Sequence, residues 1–286
     1  MLLAACGFDE HGFLTAAGPV AQAQREHFFS IIGWTLIVIV PLFVATPIVL
    51  WKYRFGRQRG AYRPNWSYSL LLEWLIWGLP LVIVGVLGWN LWQVSARLDP
   101  YDPIPSDNPA LHIQVVGLDW KWLFIYPEQD VAVAGKLVLP VDRPIRFSLT
   151  SATVMQSFMI PRLGSQMYAM GGMISQLHLL AAEPGRYRGL NTQYNGKGFA
   201  KQQFTTHAVS SAEFKAWVHR LRSGPSLDMA AYKQLAKPSV LEQPETYGGV
   251  APGLFQQIVT RVQNTPAAKL MSTPYPVPEK KREPAL

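Results

Sequence analysis

Residues 28–50 read FFSIIGWTLIVIVPLFVATPIVL, 23 positions without a charge. As a helix at 1.5 Å per residue this run measures about 34 Å, enough to cross a hydrocarbon core of about 30 Å. Pro41 and Pro47 would break a soluble helix, but in a bilayer neighbouring helices and local adjustment satisfy the carbonyls that proline frees. Working outward, a second run spans residues 74–92, 19 positions without a charge, and Ser69-Leu70-Leu71-Leu72 extends it on the far side of Glu73. Trp51, Trp66, Trp89 and Trp92 stand near the ends of the two runs, where an interfacial aromatic belt belongs. A soluble helical hairpin this apolar would need a larger surrounding core than the chain offers. Two membrane spans are therefore expected over 27–93.

Composition agrees. Hydrophobic residues make up 49% of the 286 and charged residues only 15%, against roughly 25% charged in soluble domains. The formal charge of +8 raises the question of an anionic partner. Five of the positives, Lys52, Arg54, Arg57, Arg59 and Arg63, lie in the loop between the runs, and Lys280, Lys281 and Arg282 sit in the tail. A basic loop between two apolar runs reads as topology rather than as a phosphate-binding surface, so no nucleic-acid partner is expected. The positive-inside bias places that loop in the cytoplasm and both termini outside, in the periplasm. Glu73 lies about one turn inside the cytoplasmic end of the second run. A carboxylate at that depth faces protein, water or a proton path, or else snorkels to the interface.

The one cysteine, Cys6, excludes an intrachain disulfide and a multi-thiolate metal site. Leu3-Ala4-Ala5-Cys6-Gly7 has the form of a lipoprotein processing box, with Cys6 taking the lipid. Only Met1 and Leu2 precede the box, so the n- and h-regions of a signal peptide are missing and a longer precursor is expected. Residues 1–26 are read as this lipoprotein-type N-terminus.

After the proline-rich linker 98–105 come short β-like segments near 111–117, 120–126, 136–139, 145–150, 154–160, 166–170, 174–181, 186–190 and 203–209. Turn residues separate them, which indicates an all-β sandwich over 94–209. Ser210-Ser211-Ala212-Glu213 is a capping box that opens a helix to about Leu221. Further helices near 228–236 and 252–263 complete a helical extension, 210–264. The tail 265–286, with five prolines and a basic run, is expected to be disordered.

Two spans followed by a sandwich resemble subunit II of the haem-copper oxidases, and local sequence sharpens the likeness. Residues 119–127, DWKWLFIYP, resemble the aromatic segment that opens that subunit's cupredoxin domain. Residues 154–166, VMQSFMIPRLGSQ, resemble the quinol-oxidase form of the strand and loop that carry the first copper-ligating histidine in cytochrome c oxidases. The resemblance covers residues 1–263 and points to the cytochrome bo type. It implies a two-helix transmembrane hairpin bearing a cupredoxin-like domain in the bacterial inner membrane. The copper-bearing relatives ligate a binuclear centre through that histidine and a loop of pattern C-x-x-x-C-x-x-x-H-x-x-M, because soft sulfur ligands hold mixed-valence copper. Matched to these positions, the chain has Gln156 for the first histidine, Asn191 and Asn195 for the cysteines, Gln193 at the carbonyl position, Phe199 for the second histidine and Gln202 for the methionine.

By that resemblance the chain carries no cofactor and meets no cytochrome c. Haems and one copper belong to a large partner, subunit I, where quinol is oxidised and oxygen reduced to water; subunits III and IV complete a proton-pumping complex. Left to this chain are assembly and stability. Glu73 matches the carboxylate at the mouth of a proton-uptake path into the large subunit. Trp120 and Trp122, at the electron-entry position of the copper-bearing relatives, become packing residues. Met155, Met159, Met167, Met170 and Met173 could suggest a copper-handling cluster, but are read as sandwich core filler. The six histidines show no ligand spacing. Two alternatives remain open: a menaquinol oxidase subunit of the same architecture, and a free-standing membrane lipoprotein binding copper or a partner.

Overall fold

The computed structural model describes residues 12–54, 65, 67–164 and 166–265. They fall into two units. Gln22–Asp99 form one, and the described residues up to Ala21, together with those from Pro100 onward, form the other.

Two helical segments are long and apolar enough to cross a membrane, Pro19–Lys52 and Leu70–Arg97, and all but the first three residues of the former lie in the first unit. Helix α1 (Pro19–Lys52) runs through Pro41 and Pro47. Thr35 and Thr46 donate their hydroxyls to Ile31 O and Leu42 O at 2.8 and 2.7 Å, so neither is left bare on a helix with apolar surroundings. The helix begins nine residues before the charge-free run. Residues 20–26 (VAQAQRE) are good helix formers behind a proline suited to the first helical position, and a hydropathy reading passes over them because they are polar. The second segment is not uniform. Helix α2 (Leu70–Glu73) passes into a π-helical turn, Trp74–Gly78, before α3 (Leu79–Arg97).

The second unit is a sandwich. A six-stranded sheet has the order β12-β3-β2-β1-β5-β8 and a five-stranded sheet the order β4-β10-β9-β6-β7. The strands are β1 (Leu111–Leu118), β2 (Lys121–Tyr126), β3 (Val131–Ala134), β4 (Lys136–Pro140), β5 (Ile145–Ser151), β6 (Gln156–Met159), β7 (Met167–Ala169), β8 (Ser175–Leu179), β9 (Gly185–Asn191), β10 (Gln203–Val209) and β12 (Glu245–Tyr247). β1 runs parallel to β5 and β4 parallel to β10; every other pair in these two sheets is antiparallel. Between the sheets, Phe158 meets Trp122, Phe124, Phe147 and Phe204 at ring-centroid distances of 5.2–6.3 Å.

β2 is buried at every position. The five-stranded sheet covers one of its faces. The other is covered by α5 (Met229–Leu235) and α6 (Leu254–Gln263), whose Tyr232, Leu235, Phe255, Ile258 and Val259 pack with Leu123 and Ile125 in a second apolar cluster. The C-terminal segment is thus more than a helical extension. It also gives β12 to the edge of the six-stranded sheet and a small ribbon, β11 (Ser226–Leu227) with β13 (Gly249–Val250). These strands, and β3 (sequence VAVA), are too short to show a period. Helix α4 (Ser211–Leu221) carries the reciprocal capping box: Ser210 Oγ accepts from Glu213 N, and the Glu213 carboxylate accepts from Ser210 N at 3.0 Å.

The residues ahead of α1 belong to the sandwich unit. Ala17 N donates to Arg162 O at 2.8 Å, Ala182 N to Ala17 O at 2.9 Å and Ala21 N to Leu163 O at 3.2 Å. Arg162 Nε donates to Thr15 O at 2.7 Å. A boundary at residue 26 between N-terminus and anchor therefore does not follow the chain's packing, because these backbone bonds place residues 12–21 against the sandwich. The tail from residue 266 and the lipoprotein box lie outside the described residues.

Replacing Phe158 by Ala should cost about 3–5 kcal/mol, the usual loss for a fully buried ring among aromatic neighbours. Denaturant unfolding of the purified chain, followed by near-UV circular dichroism, would read it.

Candidate functional site

The side chains that sequence reading placed in a lost ligand set are brought together at one end of the sandwich. Gln156 opens β6, Asn191 closes β9, Asn195 lies in the loop between, and Gln202 follows a 3₁₀ turn, Phe199–Lys201, just before β10. All four are buried, Gln156 and Gln202 completely.

Their carboxamides form a network centred on Gln202. Its Oε1 accepts from Asn191 Nδ2 at 3.0 Å and from Asn195 Nδ2 at 2.7 Å. Its Nε2 donates to Gln156 Oε1 at 2.6 Å and to the backbone carbonyls of Leu118 and Lys121 at 3.2 and 3.4 Å. Gln156 Nε2 donates in turn to Leu118 O at 3.2 Å and Thr153 Oγ1 at 3.3 Å. Asn191 Oδ1 accepts from the backbone N–H groups of Ser157 and Gln193 at 2.9 and 3.0 Å. A buried amide is costly unless its donors and acceptors are matched, and here each one orients the next.

Backbone geometry makes room for this cluster. A Cβ on Gly117 would stand 2.6 Å from Gln156 Oε1, so a larger residue there would push Gln156 out of its place in the network. Trp120 holds a left-handed backbone (φ 75°), unusual for a bulky residue. Its indole lies against Gly198 and donates Nε1–H to Asn195 O at 3.1 Å, closing the loop from outside.

The segment 117–121 also ties the network to the C-terminal extension. Asp119 Oδ1 accepts from Thr153 Oγ1 at 2.9 Å, and Asp119 O accepts from Ser239 N at 3.2 Å. Burial raises the Asp119 carboxyl above its ordinary range, opposed by the Thr153 hydrogen bond and by Lys121. Lys121 is buried in turn. Its ammonium donates to Lys237 O at 2.9 Å and to Ser239 Oγ, and burial draws its pKa downward against the pull of Glu245 and Asp119.

Two of the six positions stay outside the network. Only the backbone N–H of Gln193 enters it, and the half-buried Phe199 ring packs on Tyr194 with centroids 5.6 Å apart. Trp122 is a core residue. The methionines differ from the expected core filler: Met155 and Met173 are exposed, and Met167 packs on the main core from its edge. Thr153, Gly117 and the Leu118 carbonyl complete the network. Nothing in the sequence marks them: Gly117 and Leu118 act only once a strand end some 40 positions away in the chain is folded beside Gln156, and Thr153 only through the turn before β6.

Glu73 ends α2 at the start of the π-helical turn, and its Oε2 accepts from Trp77 Nε1 at 3.1 Å. A π-turn shifts helix register by one residue and is frequent at functional sites. Cys6 lies outside the described residues.

The donor set does not fit a binuclear copper centre. Amide oxygens and nitrogens bond to one another where soft ligands would be needed, and the whole chain has one cysteine.

Residues 127–208 match the family described as "Cytochrome C oxidase subunit II, periplasmic domain", and residues 222–265 match "COX Aromatic Rich Motif". A protein of Acetobacter aceti named "Ubiquinol oxidase subunit 2" is 44% identical over 268 residues, covering 92% of this chain and 86% of that relative. "Cytochrome bo(3) ubiquinol oxidase subunit 2" of Pseudomonas aeruginosa is 40% identical, covering 88% of this chain and 76% of its own length. "Quinol oxidase subunit 2" of Bacillus subtilis is 35% identical, covering 83% and 75%.

Gln202→Leu should destabilise the sandwich by about 2–4 kcal/mol, because it leaves the Asn191 and Asn195 amides and the Gln156 carbonyl buried without that partner. Phe199→Ala, outside the network and half-exposed, should cost less than about 1 kcal/mol. Thermal unfolding of the two purified variants side by side distinguishes these outcomes.

Proposed function

The chain belongs to the subunit 2 family of the ubiquinol oxidases, and we propose that within such a complex it is a subunit without a redox centre of its own. The complex is an oxidoreductase of the haem-copper class, and its other subunits are this chain's partners. In our reading haems and copper reside in the large subunit, where quinol gives up its electrons inside the membrane and oxygen is reduced to water. Electrons then have no reason to pass through the sandwich, and cytochrome c has nothing here to reduce.

The observation that carries this reading is the carboxamide network. Gln156, Asn191, Asn195 and Gln202 occupy the positions from which the copper-bearing relatives ligate their metal. What stands there is a network of amide hydrogen bonds holding the loop 191–202 to β1 and β6. On this view the network does the structural part of the metal's work, cross-linking the loop, and leaves out the redox part. The sandwich contributes assembly and stability to a proton-pumping enzyme that also contains subunits III and IV.

Glu73 is proposed as a proton-entry residue toward the large subunit. Its support is a carboxylate inside an apolar segment, beside a π-turn and held by the Trp77 indole. The two apolar helices support an inner-membrane location. The basic loop of 52–63 in the cytoplasm, both termini outside and lipid on Cys6 complete the proposed topology.

The test is the assembled complex, purified through this subunit. It should show a haem spectrum, quinol-driven oxygen uptake, no oxidation of cytochrome c, and no more copper than the large-subunit centre supplies. Additional copper that disappears with Gln156→Ala or Asn195→Ala would sink the redox-silent reading. Glu73→Gln should slow turnover and proton uptake several-fold with haem content unchanged; wild-type rates would remove it from the proton path.

A further inference from the structure

The outer face of the five-stranded sheet carries a cluster of cations away from the carboxamide network. Along β9, Tyr187 and Gly189 turn inward, leaving Arg186 and Arg188 exposed. On β10 the outward positions are Gln203, Thr205 and His207. Register sets His207 beside Arg186, and Thr205 between Arg188 on one side and Lys136 of β4 on the other. Side chains opposite one another on neighbouring strands lie about 5 Å apart, and those two apart along a strand about 7 Å. Four basic side chains therefore share a small area.

Such crowding is unfavourable for the isolated sheet. The side chains of Arg186, Arg188 and Lys136 make no ion pair or hydrogen bond among the described residues, and the ion pair of Arg143 with Glu128 involves none of them. His207 registers the field: burial first, then the charges of Lys136 and Arg186, hold its imidazole below the ordinary range. Alongside lies a groove of about 420 Å³, bordered by Arg186, Arg188 and Gln203 from the sheet and by Leu241, Glu242 and Pro244 from the extension.

We propose that this face docks an acidic polypeptide segment of a neighbouring oxidase subunit. An extended segment sets alternate side chains about 7 Å apart, the pitch of Arg186 and Arg188, so carboxylates at positions i and i+2 each meet a guanidinium in bidentate geometry. Glu242 on the opposite border selects a polypeptide over a bilayer. A base next to the acids pairs with it, whereas a uniformly anionic headgroup layer is repelled. The chain's own tail is unsuited by charge, since residues 266–286 hold Lys269, Lys280, Lys281 and Arg282 against Glu279 and Glu283. The proposal rests on membership of the complex and is independent of the copper and proton-path readings.

The experiment uses the assembled oxidase, pulled down from solubilised membranes through a tag on this subunit. Arg186→Glu with Arg188→Glu should lower retention of the other subunits at least about tenfold at moderate salt, because reversal replaces attraction by repulsion. Arg186→Lys with Arg188→Lys should keep most of it, and Lys215→Glu, exposed on α4, should keep all. Carbodiimide coupling of the intact wild-type complex supplies a readout that no misfolded variant can imitate: Lys136 should be joined to an Asp or Glu of another subunit. Undiminished retention in the charge-reversed complex overturns the proposal. So does reduced retention without any Lys136 cross-link to another subunit, which would mean a folding defect. A charge-reversed complex that keeps its partners but no longer binds phosphatidylglycerol vesicles would assign the face to lipid and overturn it equally.

Discussion

The end of the sandwich depends on one carboxamide. Gln202 accepts from two asparagines through one atom and donates to a glutamine and two backbone carbonyls through the other. Because amide oxygen and nitrogen cannot exchange roles, this single orientation fixes the other three side chains and with them β6, the loop 191–202 and the turn after β1. A metal ion would impose a similar cross-link through ligand geometry. Here hydrogen-bond direction imposes it, without soft ligands or a change of oxidation state.

The same turn couples the two cores. Leu118 and Lys121 supply carbonyls to the network, while the Lys121 ammonium and the Asp119 carbonyl grip residues 237–239 of the extension. β1 and β2 therefore have one face in the aromatic core and the other under α5 and α6. The extension completes the six-stranded sheet, and it covers apolar surface on Leu123 and Ile125 that an unassisted sandwich would leave in water.

The membrane unit obeys a different solvent. Exposed apolar side chains along α1 and α3, threonine hydroxyls bonded back to the helix, and interior prolines are each a liability in water and ordinary in lipid. Glu73 is the exception, and the chain marks it with a change of helix type and an indole partner. In the proposed division of labour, chemistry belongs to the large subunit, and this chain contributes a rigid, redox-silent sandwich and one carboxylate.

Much of this was legible in the residues. Two long charge-free runs, the first longer than a bilayer core is thick, marked the spans, and the capping box at Ser210 announced α4 three residues ahead of its glutamate. A single cysteine excludes a thiolate-bridged centre from the sequence alone. Other features were not legible, for physical reasons. VAVA at β3 becomes a strand by pairing with β2 on one side and β12 on the other, and β12 by pairing with β3, so no local period records them. The helix over 19–27 is polar, and hydropathy does not see it. Sequence named Gln156, Asn191, Asn195 and Gln202 as positions, but not as partners. Hydrogen bonds between residues up to 46 positions apart exist only after the sheets have closed. Composition determined the solvent of each part of the chain, and tertiary packing decided which buried amides would face one another.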